Sequence, residues 1–565
     1  MSAAPNVGWI DGATGPIFCW YHPPKGTPRP RAVVLCEPYG PDRMNLHLTY
    51  RALAMALSEA GFATLRFDPG GTGDSSGSPR DPGFFQTWMQ DFDCAAALLQ
   101  ARAGVRELVT IGSRLGGTLA TVAAAASSDV ESFAVWGPYA QGTKFLRGER
   151  ALSRVSKANG SGQPAKHSAA GDESSLGFVY SSEAQAAIKG IRLSDLDLSN
   201  CRRARITAWD EDSSEDELAA AWTSQGLDVR FSPLAGACSQ DSLVSQSVPE
   251  SLISETVAWL LADETPGRAV DAEKPEASSS GLIRERIQLR RGIGSAPIKA
   301  DEFVEERVVR FGADGGIFGI VTEPVGGAAA LKPTLVLVNG GNNHRPGINR
   351  NYTEWARNAA HAGHATLRFD IRGLGDSPPL SPQDANVLYR RVTRDDVVAA
   401  VDVASLLSPS SGVVLCGLCA GAYQSYQGAL IDDRVVGLVL IDLLHWGRKP
   451  PRQPEYGFLR RRGEEIDRLI RAGLSRIGIE RKSELVDALV ALTSRNVDVL
   501  IVACTDGKGY ELVTGEIGDG LSRLAASGHF ELVRAEGTNH IFTPMWAQAW
   551  LWDQLSDFLS ARSEC

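Results

Sequence analysis

The chain carries one segment twice, and this internal repeat constrains its fold more than any other feature of the sequence. Residues 61–68 (GFATLRFD) recur as residues 363–370 (GHATLRFD), 302 positions later. Tyr50 and Tyr352 match at the same offset. A chain of 565 residues is also too long for one hydrophobic core. The repeat therefore predicts two related domains in tandem.

Composition places the boundary between the copies near the middle of the chain. Residues 263–281 (DETPGRAVDAEKPEASSSG) are small, polar and contain proline, as is typical of a linker. We predict an N-terminal domain at 1–262, a linker at 263–300 and a C-terminal domain at 301–565.

Charge and cysteine usage exclude several function classes. The formal net charge of −10 provides no basic surface for nucleic acid. No run approaches the roughly 18 apolar residues that span a bilayer, and the first residues lack the features of a signal peptide. Nine cysteines without framework spacing predict reduced thiols. We expect a cytoplasmic protein with no membrane span, no nucleic-acid partner, no metal and no cofactor.

Each copy alternates predicted strands with predicted helices. In the second copy the apolar runs of strand length lie at 335–338, 365–370, 412–416, 437–442 and 497–504. This alternation predicts the α/β class, with a mostly parallel, doubly wound sheet in each domain.

An insertion follows the fourth of these runs, and a similar one follows in the first copy. Residues at about 445–495 contain arginine-rich helical sequence, including residues 460–462, which we interpret as a solvated face. Residues 159–175 of the first copy are small, polar and loop-like. Because insertions there lie over the carboxyl ends of the strands, we predict a lid on each domain, the first partly mobile.

A glycine-bounded turn follows the third strand of the second copy. Residues 417–421 (GLCAG) stand between a strand and a helix. Strand, Gly-x-nucleophile-x-Gly and helix form the nucleophile elbow of the α/β-hydrolase fold, where the glycines let strand and helix approach. Cys419 at the apex is the predicted nucleophile, because the helix N-terminus there favours a thiolate. A buried structural thiol, or a redox or metal-binding pair with Cys416, is the alternative.

The chain order of this fold, nucleophile then acid then histidine, selects the partners of Cys419. His540 follows the last predicted strand and stands where the base belongs. Asp506, after the strand at 497–504, is the first choice of acid, and Asp442 is the second. We predict that His540 takes the thiol proton and that Asp506 orients the imidazole.

Backbone N–H groups complete the predicted site. The oxyanion hole would use those of Ala420 and Gly341, the latter in a loop whose glycines let the backbone approach substrate.

The first copy has lost two of the three groups. Arg114 occupies its elbow in residues 112–116 (GSRLG), and Ser239 stands where the second copy has His540. The first copy is therefore predicted to be non-catalytic. Arg114 either binds an anionic group or fills an unused pocket, and we favour the second. Asp74 and Asp376, in turns present in both copies, are predicted to maintain the fold.

Several motifs resemble a known pair of families. Residues 415–422 (LCGLCAGA) and 367–377 (LRFDIRGLGDS) are similar to exosortase A system-associated hydrolase 1. Residues 112–116 and 37–45 (EPYGPDRMN) resemble hydrolase 2 of the same system. An elbow cysteine also occurs in dienelactone hydrolases, polyhydroxyalkanoate synthases and bile-acid-type acyltransferases, so the resemblance implies acyl chemistry.

These features lead to one expected activity and two alternatives. We expect a cysteine-dependent acyl hydrolase that acts on a small-molecule ester or thioester, free or bound to a carrier protein or CoA. The alternatives are an acyltransferase that passes the acyl group to an alcohol or amine in a biosynthetic pathway, and a non-catalytic scaffold or binding protein.

Overall fold

The computed structural model describes residues 5–158, 172–209, 215–233, 248–262, 282–290, 303–327, 332–388, 393–447, 483–506 and 509–562. None of the helices in these ranges is long and apolar enough to cross a membrane.

The N-terminal domain is an eight-stranded sheet with helices packed on it. The strand order is β1-β2-β4-β3-β5-β6-β9-β10, parallel from β4 onward. The strands, together with a separate hairpin of β7 and β8, are β1 Asn6–Asp11, β2 Pro16–His22, β3 Arg31–Cys36, β4 Ala63–Asp68, β5 Glu107–Ser113, β6 Val130–Trp136, β7 Glu173–Ser175, β8 Phe178–Tyr180, β9 Arg203–Thr207 and β10 Asp228–Ser232. The helices are α1 Pro41–Glu59, α2 Phe84–Ala103, α3 Leu115–Ala126, α4 Gly142–Ala158, α5 Ser182–Lys189, α6 Glu215–Ser224 and α7 Glu250–Leu261.

The C-terminal domain repeats this architecture with one more strand. Its order is β11-β12-β13-β15-β14-β16-β17-β18-β19, parallel from β15 onward. The strands are β11 Arg286–Arg290, β12 Phe303–Phe311, β13 Ile317–Pro324, β14 Thr334–Val338, β15 Thr366–Asp370, β16 Val413–Leu418, β17 Val435–Ile441, β18 Asp498–Cys504 and β19 Phe530–Ala535. The helices are α8 Asn351–His361, α9 Thr393–Leu407, α10 Ala420–Ala429, α11 Glu484–Ser494, α12 Gly509–Ile517, α13 Gly520–Ala525 and α14 Met545–Ser560.

Without β11, the two strand orders are the same, so both domains have the predicted mostly parallel, doubly wound sheet. Apolar runs become buried strands because helices cover both faces of a parallel sheet; every residue of β16 is buried. Helix α9 buries Val397, Ala400, Val401 and Ala404, the spacing of one helical face.

Part of the predicted linker is a strand. β11 pairs with β12 as an edge of the second sheet, and Arg284 just before it bridges to Trp9 in β1 of the first domain. The segment 282–290 is therefore an ordered connection between the domains, and the rest of 263–300 lies outside the described residues.

The insertions differ from the predicted lids: the first contains helices and a hairpin, and the end of the second belongs to the domain core. In the first copy, α4, the β7–β8 hairpin and α5 follow β6, and residues 159–171 lie outside the described part. In the second copy, residues 448–482, with the arginines at 460–462, also lie outside it. Helix α11, at the end of the predicted lid, buries Leu485, Leu489 and Leu492 in the domain core, so it is part of the hydrolase body.

Two ion pairs join the domains, and each pair is formed by the repeat counterparts of the residues in the other pair. Arg66 donates to Asp376 at 2.8 Å, and Arg368 in turn donates to Asp74. Because each member is 302 positions from its counterpart, the contact is isologous, like that of a twofold dimer. The predicted turn-maintaining role of Asp74 is thus incomplete: its N–H donates to Asp68 at 2.8 Å, while its carboxylate crosses to the other domain.

Candidate active site

Cys419 stands at the turn between β16 and α10 in a strained backbone conformation. Its φ is 57° and its ψ is −112°. A Cβ on Gly417 would lie 2.3 Å from the carbonyl of Gly421, and one on Gly421 would lie 2.4 Å from the carbonyl oxygen of Val338. The elbow glycines are therefore required by close backbone approach, as the motif predicts.

A tyrosine under the elbow ties it to the neighbouring strand. The N–H of Leu418 donates to the hydroxyl of Tyr352 at 3.1 Å, and this hydroxyl donates to the carbonyl of Val338 at 3.1 Å. In the first copy, Tyr50 accepts from the N–H of Ser113 at 2.7 Å and donates to the last carbonyl of β3. The sequence showed these tyrosines as a matched pair, but their role is visible only in the fold.

The imidazole of His540 links the thiol to a carboxylate. Its Nδ1 is hydrogen-bonded to Asp442, and its ring is also hydrogen-bonded to the side chain of Cys419. Burial lowers the pKa of His540, but the bonds to Asp442 and to Cys419 outweigh this effect and raise the pKa to about 10. At neutral pH the imidazole is therefore protonated and lies between two groups that stabilise its charge.

The partner of His540 is Asp442 rather than Asp506. Asp442 is fully buried, and its Oδ1 accepts from the N–H of Cys504 at 3.0 Å. Asp506 is exposed and accepts from the hydroxyl of Thr505 at 3.1 Å. The structure corrects the first choice of acid in favour of the second. Chain order permits both, because the carboxyl ends of β17 and β18 are adjacent, and only their three-dimensional positions separate them.

Gly509 at the start of α12 is a further residue of the site that the sequence did not reveal. A Cβ on Gly509 would lie 1.8 Å from Oδ1 of Asp442. Because glycine has no side chain, the carboxylate of Asp442 has space beside it. A glycine soon after the strand at 498–504 was the available signal, but loops commonly contain glycine for other reasons.

The loop after β14 lies beside the elbow, since a Cβ on Gly340 would lie 3.1 Å from the carbonyl oxygen of Leu418. Gly341 has a φ of 57°, and the side chain of Asn339 donates to the carbonyl of Asn343 at 2.9 Å. The side chain of Asn343 donates to the carbonyl of Gly340 at 3.1 Å. Ala420 opens α10, so its N–H is one of those without an acceptor inside the helix. The loop is held in a single shape beside the elbow helix, as an oxyanion hole needs.

The second cysteine of the C-x-x-C motif belongs to the core. Cys416 is fully buried among the apolar side chains of β14 and β17, and burial raises the pKa of its thiol. Such a thiol is unreactive. Within the described residues, no group of three or more His, Cys, Asp or Glu could hold a metal ion. Cys416 therefore has the environment of a structural core thiol.

The elbow of the first copy keeps the strained turn without a nucleophile. Arg114 has a φ of 54° and a ψ of −128°, close to those of Cys419. Its guanidinium lies 4.5 Å from the centroid of the Tyr139 ring and 3.6 Å from Asp42. Arg114 is thus held within its own domain by a cation–π contact and an ion pair. Ser239 lies outside the described residues.

Comparison with known proteins finds one family model and several solved structures that resemble parts of the chain. A family model described as Hydrolase_4, serine aminopeptidase, S33, matches residues 42–173. Among solved structures, Est1E from Butyrivibrio proteoclasticus is 15% identical with a TM-score of 0.32, and the match covers 45% of this chain and 98% of that chain. XC6422 from Xanthomonas campestris, described as an α/β serine hydrolase without lid, is 16% identical with a TM-score of 0.30, and the match covers 47% and 99%. No functionally curated protein has a matching sequence.

The two sheets have the same strand order when β11 is left out. Each also has a strained elbow after the equivalent strand, Arg114 after β5 and Cys419 after β16. The family match lies in the copy whose elbow has lost its nucleophile. Both halves of the chain therefore have the α/β-hydrolase fold, in tandem.

Proposed function

We propose that the C-terminal domain is a cysteine-dependent acyl hydrolase that acts on an ester or thioester. The observation that carries the proposal is the chain of hydrogen bonds from Cys419 through His540 to Asp442 at a nucleophile elbow. A nucleophile, a base and an orienting acid in this order are the requirements of covalent acyl transfer.

In the proposed reaction, the thiolate of Cys419 attacks the substrate carbonyl carbon. The resulting oxyanion accepts hydrogen bonds from the N–H groups of Ala420 and Gly341. The intermediate collapses, the bond to the alcohol or thiol breaks, and the leaving group takes a proton from His540. Water then attacks the acyl-thioester, with His540 accepting its proton, and the carboxylic acid and free thiolate are released.

The pKa of His540 agrees with its proposed roles, as an acid in the first step and as a base in the second. With a pKa of about 10, the imidazole enters the reaction as an acid that protonates the leaving group. Acylation of Cys419 removes the interaction with its sulfur, which is part of what raises the pKa of His540. The imidazole then becomes a better base for the attack of water.

Acyl transfer to an alcohol or amine is the second candidate. The residue at the apex is cysteine, so the covalent intermediate is a thioester, which is activated towards amines as well as water. We propose that the acyl donor is free, bound to a carrier protein or bound to CoA. We also propose that the enzyme is cytoplasmic. A non-catalytic role for the first domain is part of the proposal.

A cavity with apolar side chains in its wall lies between the domains. Its volume is about 470 Å³, within the range of small-molecule sites. Trp355, Met545 and Trp552 line it from the second domain, and Met44 and Phe178 from the first. Cys419 and His540 are not among the residues that line it, and we propose that the acyl chain reaches it along α14, which begins five residues after His540. Across p-nitrophenyl esters from acetyl to octanoyl, we expect the acylation rate to rise with chain length; equal rates would argue against use of the cavity.

Mass spectrometry of the intact protein tests the nucleophile. After incubation with p-nitrophenyl acetate, we expect one acetyl adduct on the wild type and none on Cys419→Ala. The matched control is Cys94→Ala, which removes a partly exposed thiol of the first domain and should keep the adduct. An adduct that survives Cys419→Ala, or an unmodified wild type, contradicts the proposal.

Product partitioning separates the two reactions. An enzyme acylated with p-nitrophenyl acetate is divided between buffer alone and buffer with added alcohol or amine. Hydrolysis predicts acetate as the product in each case. Formation of the ester or amide in place of acetate would favour the acyltransferase.

A further inference from the structure

The loop that holds the predicted oxyanion donor is clamped by the other domain. Within its own domain, Arg345 bonds to Asp370 at 2.9 Å and to Asp376 at 2.8 Å. From the first domain, Asp74 lies 2.6 Å from its Nη2. The residue before Arg345, His344, stacks on His47 of the first domain, with ring centroids 3.9 Å apart and planes 8° apart. Gly341 is only three residues from His344.

Aromatic rings from both domains enclose the same arginine. The guanidinium carbon of Arg345 lies 5.4 Å from the ring centroid of Phe18, 5.8 Å from that of Trp20 and 4.4 Å from that of Phe318. Phe18 and Trp20 belong to β2 of the first domain. Burial alone raises the pKa of Asp74, but Arg345 and Arg368 lower it below its usual range, so the carboxylate is ionised. The clamp is therefore a buried, charged contact with little freedom to shift.

The clamp breaks the symmetry of the interface. Arg43 is the counterpart of Arg345 in the first domain, 302 positions earlier. Arg43 forms ion pairs with Asp68 and Glu37 of its own domain, whereas Arg345 pairs with carboxylates of both domains. Of the two equivalent loops, the one in the copy with the nucleophile is the one held by an ion pair from its neighbour.

We propose that the N-terminal domain is a built-in positioning subunit, in which Asp74 and His47 hold the loop 339–345 so that the N–H of Gly341 faces the oxyanion. This inference rests on the proposed function of Cys419. It gives a reason why a domain without a nucleophile stays attached to the catalytic one. Asp74 and His47 act through the loop and do not touch substrate, so they are positioning residues.

Two reactions of the same thiol separate loop positioning from general damage. Acylation by p-nitrophenyl acetate passes through an oxyanion and needs the loop. Alkylation by iodoacetamide is a direct displacement at carbon, forms no oxyanion, and reports only an accessible, reactive thiolate. The measurement is the ratio of the p-nitrophenolate burst rate to the alkylation rate at Cys419, located by peptide mass spectrometry.

Asp74→Asn and His47→Ala are the test variants. We expect each to lower the ratio by about 10- to 100-fold, less than the full loss of one oxyanion donor. Asp74→Glu keeps the negative charge and His47→Phe keeps a ring that can stack on His344. Each should recover most of the wild-type ratio. The matched control is Arg51→Met, which removes the bonds to Gly375 and Ser377 across the same interface and touches no residue of the loop.

An unchanged ratio in both test variants would overturn the positioning role, and so would an equal drop in Arg51→Met. If Asp74→Asn fails to fold because it unbalances buried charge, His47→Ala decides the test alone. Failure of the proposed function looks different, because the wild type would then show no burst at all.

Discussion

His540 is hydrogen-bonded through Nδ1 to Asp442, a residue 98 positions earlier in the chain. Asp442 is also held by two bonds to β18: its N–H donates to the carbonyl of Val502 at 2.7 Å, and its Oδ1 accepts from the N–H of Cys504 at 3.0 Å. Its φ of 49° is a strained value that these bonds to β18 maintain. The acid of the site is thus built into the end of the sheet.

Replacement of this acid should remove most of the activity. Asp442→Asn keeps the shape but loses the charge and the acceptor that orient His540, so we expect kcat to fall by about 10³- to 10⁴-fold. Asp506→Asn is the matched control and should retain the wild-type rate of p-nitrophenyl acetate turnover. The opposite order of effects would restore Asp506 as the acid.

A methyl group added beside the acid should also reduce activity. Gly509→Ala places a Cβ 1.8 Å from the buried carboxylate of Asp442, so either the carboxylate or α12 must move. A displacement of about 1 Å can cost about 10²-fold in rate. Gly515→Ala, on the same helix with no heavy atom within 4 Å, should keep full activity and gain about 0.5–1 kcal/mol of stability. Burst kinetics and thermal unfolding measure both effects, and equal activity in the two variants would contradict the prediction.

The matched tyrosines allow activity to be separated from stability. Tyr352→Phe leaves the N–H of Leu418 without its acceptor, at a cost of about 1–3 kcal/mol, and loosens the elbow under Cys419. Tyr50→Phe should destabilise the first domain by a similar amount. We expect a reduced acylation rate only in Tyr352→Phe. A comparable loss of rate in both variants would show that the effect comes from stability alone.

The titration of His540 should depend on both of its neighbours. NMR of its imidazole should give a pKa of about 10 in the wild type and lower values in Cys419→Ala and Asp442→Asn, since each removes a group that raises it. The folded pKa lies above the ordinary value of 6.5, so this group's contribution to stability is complete below about pH 6.5 and is lost as the pH rises through about 10. Unfolding measured across this range should show that loss, and a flat profile would contradict the assignment.

The sequence by itself determined the fold class and the position of the elbow. Period, strand length and the glycine spacing around Cys419 are local properties, since a parallel strand must be apolar on both faces and a strained turn needs small neighbours. The same local pattern showed that Arg114 leaves the first copy without a nucleophile. Chain order also placed His540, because it follows the last strand of the sheet.

Only the tertiary structure decided between Asp442 and Asp506, because both follow adjacent strands and differ in which way the chain turns afterwards. It also showed which residues join the two domains. Asp74 and Arg345 are far apart in the chain and carry no mutual signal in it, since the energy of a buried ion pair depends on geometry that arises only when the two sheets pack.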